Sequence, residues 1–236
     1  MKPKLTQRNL HWDDAPKNFV LSSNEVHVWI ADLETVAAER EFSPILSPDE
    51  MGRARRFHFE SDRRNFIAAR GVLRTLLAHY TKTSASNLQF SYSPNGKPSL
   101  AFAAQFGNLR FNLSHSDGLA VYAIAQNREL GIDLESLRPF AEMQEIAGRC
   151  FSADEQSSLR SLQSPEQEEK FFRYWTRKEA VLKCTGEGFS DERDRIGDAN
   201  FAGPILELNP ADCFIATLAV LGKPFNLKPW QFKIGR

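Results

Sequence analysis

The sequence predicts an α+β fold made of two pseudo-symmetric α/β halves, residues 1–127 and 128–236. Three observations lead there. Strand-like and helix-like segments alternate along the chain, and short motifs of the first half return in the same order in the second. A hydrophobic content of 42% with 25% charged residues over 236 positions suits one large or two smaller globular domains.

The first element is Val26 to Leu33, apolar at period two and therefore a strand. Ser47-Pro48-Asp49-Glu50 predicts a helix start, with Ser47 as N-cap, Pro48 at N1 and Glu50 closing a capping box. A second helix follows Ser61, because Phe66, Ala69, Leu73, Leu76, Leu77 and Tyr80 lie at three-to-four spacing. Asn95-Gly96 with Pro98 marks a turn. Strands are expected at Phe90–Tyr92, Phe111–Leu113, Leu119–Ile124 and Leu130–Glu135.

Two further capping boxes come next, Ser152-Ala153-Asp154-Glu155 and Ser164-Pro165-Glu166-Gln167. The helix after Pro165 should run to about Cys184, with Gly186 as its stop. Asp191 to Gly203 reads as a loop, and Cys213–Val220 and Pro229–Ile234 as closing strands.

The internal echo ties these elements together. Asp32-Leu33-Glu34 returns as Asp133-Leu134-Glu135, and Ser47-Pro48-Asp49-Glu50 as Ser152-Ala153-Asp154-Glu155. Phe66-x3-Arg70-x2-Leu73-Arg74 returns as Trp175-x3-Glu179-x2-Leu182-Lys183. Each repeat lies about 100–110 residues later, as a divergent duplication would leave it.

Thirty basic residues balance thirty acidic ones, so bulk charge argues for neither nucleic acid nor membrane. No apolar run has the length of a signal peptide or a membrane span. Cys150, Cys184 and Cys213 are too few and too scattered for a disulfide framework or a zinc pattern, and a reducing cytoplasm is expected. The eighteen phenylalanines read as core.

Several groups carry potential chemistry. On a strand, residues two apart share a face about 6.5 Å apart along the backbone. Asp133 and Glu135 therefore point together, opposite Ile132 and Leu134. Such a pair suits a hard divalent cation, although alone it reads as a solvated strand face. Glu179 and Lys183 share a helix face beside Lys178; singly, they read as a surface pair. His115 between Ser114 and Ser116 and Lys97 beside Pro98 are phosphate-contact candidates or simply loop and turn residues. Arg53, Arg55 and Arg56 form the densest basic cluster. No Gly-x-Ser-x-Gly elbow accompanies the serines, which argues against a serine hydrolase.

Taken in order, Gly96-Lys97-Pro98, Asn112-Leu113-Ser114-His115-Ser116, Gly131-Ile132-Asp133-Leu134-Glu135, Phe151-Ser152-x-x-Glu155 and Trp175-x-x-Lys178-Glu179-x3-Lys183 resemble the Sfp-type 4′-phosphopantetheinyl transferases. The resemblance spans about Arg53 to Phe189, and its specific parts are the Asp-x-Glu and Trp-x-x-Lys-Glu-x3-Lys blocks. It implies a two-half fold and transfer of phosphopantetheine from coenzyme A to a serine of an apo acyl- or peptidyl-carrier protein of fatty acid, polyketide or nonribosomal peptide synthesis.

The resemblance further implies that Asp133, Glu135 and Glu179 hold magnesium, with manganese as a substitute. Glu179, Lys183 and Glu155 would be catalytic, the proton acceptor being Glu179, Glu155 or water. Arg53, Ser114 and His115 would hold the 3′-phosphate and ribose, Lys97 and Pro98 the adenine side, Lys183 the transferring phosphate, and Lys178 the pyrophosphate or the pantetheine arm. Tyr92 stands where some relatives place a basic residue. A cytoplasmic monomer is expected, with the carrier docking near Phe66 and the segment after Cys150. Two other readings are a carrier-binding homologue without transfer activity and a metal-dependent coenzyme A pyrophosphohydrolase.

Overall fold

A computed structural model describes residues 6–8, 10–16, 18–34, 38–187 and 201–233. In chain order its elements are β1 (Thr6–Arg8), β2 (Asp13–Asp14), β3 (Glu25–Asp32), α1 (Ala38–Phe42), α2 (Pro48–Ala54), α3 (Glu60–Thr81), β4 (Phe90–Tyr92) and β5 (Pro98–Leu100). There follow β6 (Leu109–Ser116), β7 (Leu119–Gln126), β8 (Leu130–Ser136), α4 (Met143–Cys150), α5 (Ala153–Arg160), α6 (Glu166–Thr185), β9 (Ile205–Leu208), β10 (Phe214–Val220) and β11 (Asn226–Gln231).

The same plan occurs twice. The first half runs β3, helices, β6, β7, and its strands lie in the order β3-β7-β6. The second runs β8, helices, β9, β10, and lies in the order β8-β10-β9. Every pairing within these two sets is antiparallel. The outermost strands exchange places: β1 joins β9, while β11 lies parallel to β3.

Period two explains the layers. Val26, Val28 and Ile30 of β3 and Val121, Ala123 and Ala125 of β7 face Ile132 and Leu134 of β8 and Ala216 and Leu218 of β10, so the sheets pack face to face. The opposite face of β3, Trp29 and Ala31, meets α3 through Ile67, Val72 and Leu73. The opposite face of β8 and β10 meets α6, where Ala180 and Cys184 pack with Ala219. Thr176 and Thr217 hydrogen-bond across that layer at 2.9 Å.

Register corrects one part of the sequence reading. Trp29 stands opposite Tyr122, the fourth residue of β7, and Asp133 stands opposite Thr217, the fourth residue of β10. Asp133 therefore corresponds to Trp29, while Asp32 lies at the exposed end of β3 and accepts the Glu34 N–H at 2.9 Å. Ser47 and Ser152 do sit at corresponding helix starts, and both capping boxes form.

Ser164 is not an N-cap. The Gln167 N–H it was expected to satisfy bonds instead to the Gln163 carbonyl, and α6 starts at Glu166. The elements α1, α4, β1, β2, β5 and β9 were not anticipated. For α4 the signal was present, since Met143, Ala147 and Cys150 are buried at helical spacing. Most of the loop expected at Asp191–Gly203, and Ile234 of the last strand, lie outside the described residues.

Candidate active site

Strands β6 and β8, edge members of different sheets, run side by side at the junction of the halves. Along β6 one side-chain row turns toward β8. Asn112 Oδ1 accepts the Ile132 N–H at 2.8 Å, Ser114 Oγ donates to Asp133 Oδ1 at 2.9 Å, and Ser116 Oγ reaches Glu135 Oε2 at 3.3 Å. Two serines at strand spacing thus match two carboxylates at strand spacing.

Helix α6 lies directly on β8 because Gly131 lets it. A Cβ there would stand 2.1 Å from the Ala180 carbonyl oxygen and 2.4 Å from the Cys184 nitrogen. This contact brings Lys183 over the acidic row, where its Nζ lies 2.6 Å from Asp133 Oδ1 and donates to Ser114 Oγ at 3.2 Å. Glu179, one turn earlier, faces the same opening.

That opening is a cleft with two adjoining lobes sharing Gly96, Pro98, Leu113 and Lys183. One, of about 250 Å³, is bordered by Arg53, Phe66, Arg70, Ser114 and His115. The other, of about 420 Å³, is bordered by Asn95, Lys97, Asn112, Glu179 and Gly186. The turn carrying Gly96 is tied across the junction: Asn95 Nδ2 donates to the Gly186 carbonyl at 3.0 Å and Lys97 Nζ to the Leu130 carbonyl at 3.1 Å.

The electrostatics of the cleft are uneven. Burial, and then the neighbouring charge of Asp133, push the Glu135 carboxyl above its usual range. The cleft walls, then Lys183 and Arg70, hold the His115 imidazole below its ordinary pKa although the ring is open to solvent. Burial also lowers Lys97 against the opposing effect of Glu129. An acidic strand thus borders a strongly cationic pocket, an arrangement that suits a bound phosphate ester.

Comparison with known proteins agrees. A family model described as the 4′-phosphopantetheinyl transferase superfamily matches residues 129–215, and one for the N-terminal part of 4′-phosphopantetheinyl transferase matches residues 37–127. The 4′-phosphopantetheinyl transferase HetI of Nostoc sp. is 39% identical over 94% of this chain and 98% of its own length. This chain belongs to the 4′-phosphopantetheinyl transferase family. It is also 30% identical to the 4′-phosphopantetheinyl transferase Sfp of Bacillus subtilis over 63% of this chain and 64% of that protein, in keeping with an Sfp-type transferase. Among solved structures, Thermotoga maritima holo-(acyl-carrier-protein) synthase superposes on 50% of this chain and 78% of its own, with 24% identity and a TM-score of 0.32. The similarity to HetI and Sfp favours neither the pyrophosphohydrolase nor the inactive carrier-binding reading.

For a transferase site, the structure gathers Arg53, Pro98, Lys97, Ser114, His115, Glu179 and Lys183 around one cleft. Glu155 and Lys178 border neither lobe. Lys178 is buried, with its Nζ 3.0 Å from Glu155 Oε2 and 5.7 Å from the Phe151 ring centre. Glu155 Oε2 also accepts the Ser152 N–H at 2.8 Å, so this carboxylate is engaged in the cap and the ion pair.

The fit to a metal is partial. Asp133 Oδ2 is buried without a hydrogen-bond partner, and its carboxylate neighbour Glu135 is destabilised in its charged form, so this pair fits a hard divalent cation. The expected three-carboxylate set is not assembled: among the described residues no group of three His, Cys, Asp or Glu is close enough to hold a metal. The Lys183 ammonium stands on Asp133 instead. Sequence reasoning also passed over Ser116 and Arg138, whose Nη1 is 3.6 Å from Glu135 Oε2. The period-two row of β6 was the signal for Ser116.

Proposed function

We propose that the cleft between β6, α3 and α6 is where coenzyme A lies while this transferase passes the phosphopantetheine arm to a carrier-protein serine. The observation that supports this most is the convergence of Lys183, Ser114 and Asp133 at the junction. In the reaction the serine Oγ forms a bond to the β-phosphorus of coenzyme A, the pyrophosphate P–O bond breaks, and 3′,5′-ADP leaves with the bonding pair.

Lys183 lies against the transferring phosphate and offsets its growing negative charge. Arg53, His115 and Ser114 hold the 3′-phosphate and ribose, and Lys97 and Pro98 border the adenine side. The serine proton goes to Glu179, which shares the larger lobe with Lys183 and whose carboxylate is a stronger base than a hydroxyl. Glu155 and Lys178 act as positioning residues that fix α5 against α6. Asp133 and Glu135 hold magnesium or manganese, which when bound supplies Lewis-acid polarisation of the pyrophosphate.

The working division is residues 1–127 and 128–236, with β1 and β11 exchanged between them. A monomer fits this reading, because the two fused halves already bury each other's sheet faces. No helix among the described residues is long and apolar enough to cross a membrane; within that limit, we take the site of action to be the cytoplasm.

Incubation with coenzyme A, magnesium and an apo-carrier protein, followed by intact mass, tests the function. One phosphopantetheine added to the carrier is the expected result, and chelation should abolish it until magnesium or manganese is restored. Cleaved coenzyme A with an unmodified carrier would make the chain a hydrolase.

A further inference from the structure

Away from the cleft, residues 14–16, Phe19 and the end of β11 border a groove of about 920 Å³ over β3 and α3. It shares no residue with either lobe: α3 meets the cleft with Phe66, Ala69 and Arg70, and this groove with Thr75, Leu76 and His79. Its volume falls in the range of small-molecule sites, about 300–1,000 Å³.

The wall is aromatic. Phe19 lies on the His79 ring, with centroids 3.9 Å apart and planes 24° from parallel, and its centre is 5.1 Å from that of Trp29. Trp29 Nε1 is already spent on the Tyr80 hydroxyl at 2.9 Å, so Trp29 offers a ligand only its ring. Leu76 and Phe232 continue the apolar lining. The rim charges cancel, because Lys233 Nζ lies 2.5 Å from Asp14 Oδ1. An ion entering here would lose hydration without meeting an unpaired opposite charge, whereas a neutral ring system gains contact with rings.

One polar group of the wall is incomplete. His79 donates to the Phe19 backbone, yet its Nε2 is buried with no partner among the described residues, so the donating nitrogen is Nδ1. Burial, and then the charge of Lys82, hold the imidazole below its ordinary pKa, and in a neutral ring the second nitrogen is an acceptor. A buried acceptor without a donor is costly, and a ligand that brings an N–H or O–H relieves it.

We propose that this groove is a second ligand site, separate from the cleft, for a neutral flat aromatic molecule with one hydrogen-bond donor, of the aryl amine or phenol class. Its rings lie against Phe19, Trp29 and Phe232, and its donor meets His79 Nε2.

N-phenyl-1-naphthylamine has this chemistry, two aromatic systems joined by one N–H, and its fluorescence rises when it leaves water. Titration of the full chain should show one probe bound, with a Kd on the order of 0.1 mM, and saturating coenzyme A should not displace it. Thr75→Trp fills the groove from an exposed helix position and should weaken binding by about tenfold or more. His79→Phe keeps the stacked ring and removes the acceptor. It should weaken N-phenyl-1-naphthylamine about fivefold and leave 1-phenylnaphthalene, which has no donor, within about twofold.

Probe binding that survives Thr75→Trp, or that coenzyme A displaces, would overturn the proposal. So would an equal response of the two probes to His79→Phe. Binding that appears only after residues 234–236 are removed would assign the groove to the chain's own end and overturn it as well. Should His79→Phe fail to fold, Thr75→Trp decides, since its side chain stands on the helix surface.

Discussion

The two halves of this transferase use one scaffold for opposite purposes. In both, the N3 glutamate of a capping box turns inward to a cation on the long helix: Glu50 to Arg70 and Arg74, Glu155 to Lys178. The difference lies on the strand beneath that helix. β3 presents His27, Trp29 and Ala31, and these pack under α3 with Tyr80 and Trp230. At the corresponding positions β8 presents Gly131, Asp133 and Glu135. One half fills the layer beneath its long helix with rings. The other leaves it small and acidic, and there the proposed reading puts the metal pair.

The largest contrast should come from the two glutamates. Glu50→Gln removes the carboxylate on which both buried guanidiniums converge, and should cost about 3–5 kcal/mol in urea unfolding. Glu155 is partly exposed but its Lys178 partner is buried, so Glu155→Gln should cost less than the Glu50 change, about 2 kcal/mol, and keep transfer within about tenfold of wild type. A folded Glu155→Gln protein that has lost transfer altogether would move Glu155 from positioning into the chemistry.

Next comes the acidic pair against its former echo. Asp133→Asn keeps the shape of the side chain while removing the charge that Lys183 and a cation would meet. Transfer should fall on the order of hundredfold to thousandfold with little change in stability. Asp32→Asn, at an exposed strand end, should leave transfer unchanged. Comparable losses for the two would restore Asp32 as the counterpart of Asp133 and undo the register argument.

A smaller effect separates the glycines. Gly131→Ala sets a methyl against helix backbone, with nothing able to rotate away, and should cost about 3 kcal/mol and displace Lys183. Gly71→Ala meets Cβ and Cγ of Phe42, the root of that side chain, and can be relieved only by a movement of the short helix α1, so about 2 kcal/mol is expected from thermal unfolding. If Gly131→Ala proved the milder change, α6 would not be seated on β8 as described.

Period two and capping signals made much of this legible beforehand. The split of Ile132 and Leu134 from Asp133 and Glu135 follows from strand geometry alone, and both serine–glutamate boxes formed where expected. Pair identities across the junction were not readable. That Lys183 takes Asp133, or that Lys178 turns to Glu155 and away from the cleft, depends on how closely α6 approaches β8. Gly131 sets that distance, and nothing local in the sequence states it. The Asp-Leu-Glu echo misled for a related reason. Short identical strings carry no register, whereas the partner strands β7 and β10 do.

The finest test of the shared scaffold is a matched pair of hydroxyls. Tyr122 and Thr217 are each fourth in the middle strand of their half, and each ties that strand to the long helix. Tyr122 donates to the Ala69 carbonyl at 3.0 Å, and Thr217 shares a hydrogen bond with Thr176. Tyr122→Phe should cost about 1 kcal/mol, since the Ala69 carbonyl remains within its helix. Thr176→Val leaves the buried Thr217 hydroxyl unpaired and should cost about 1–2 kcal/mol, while the double change Thr176→Val with Thr217→Val should cost less than the sum of its parts. Additive losses in that cycle would mean that the threonines do not pair, and that α6 is held on β10 by packing alone.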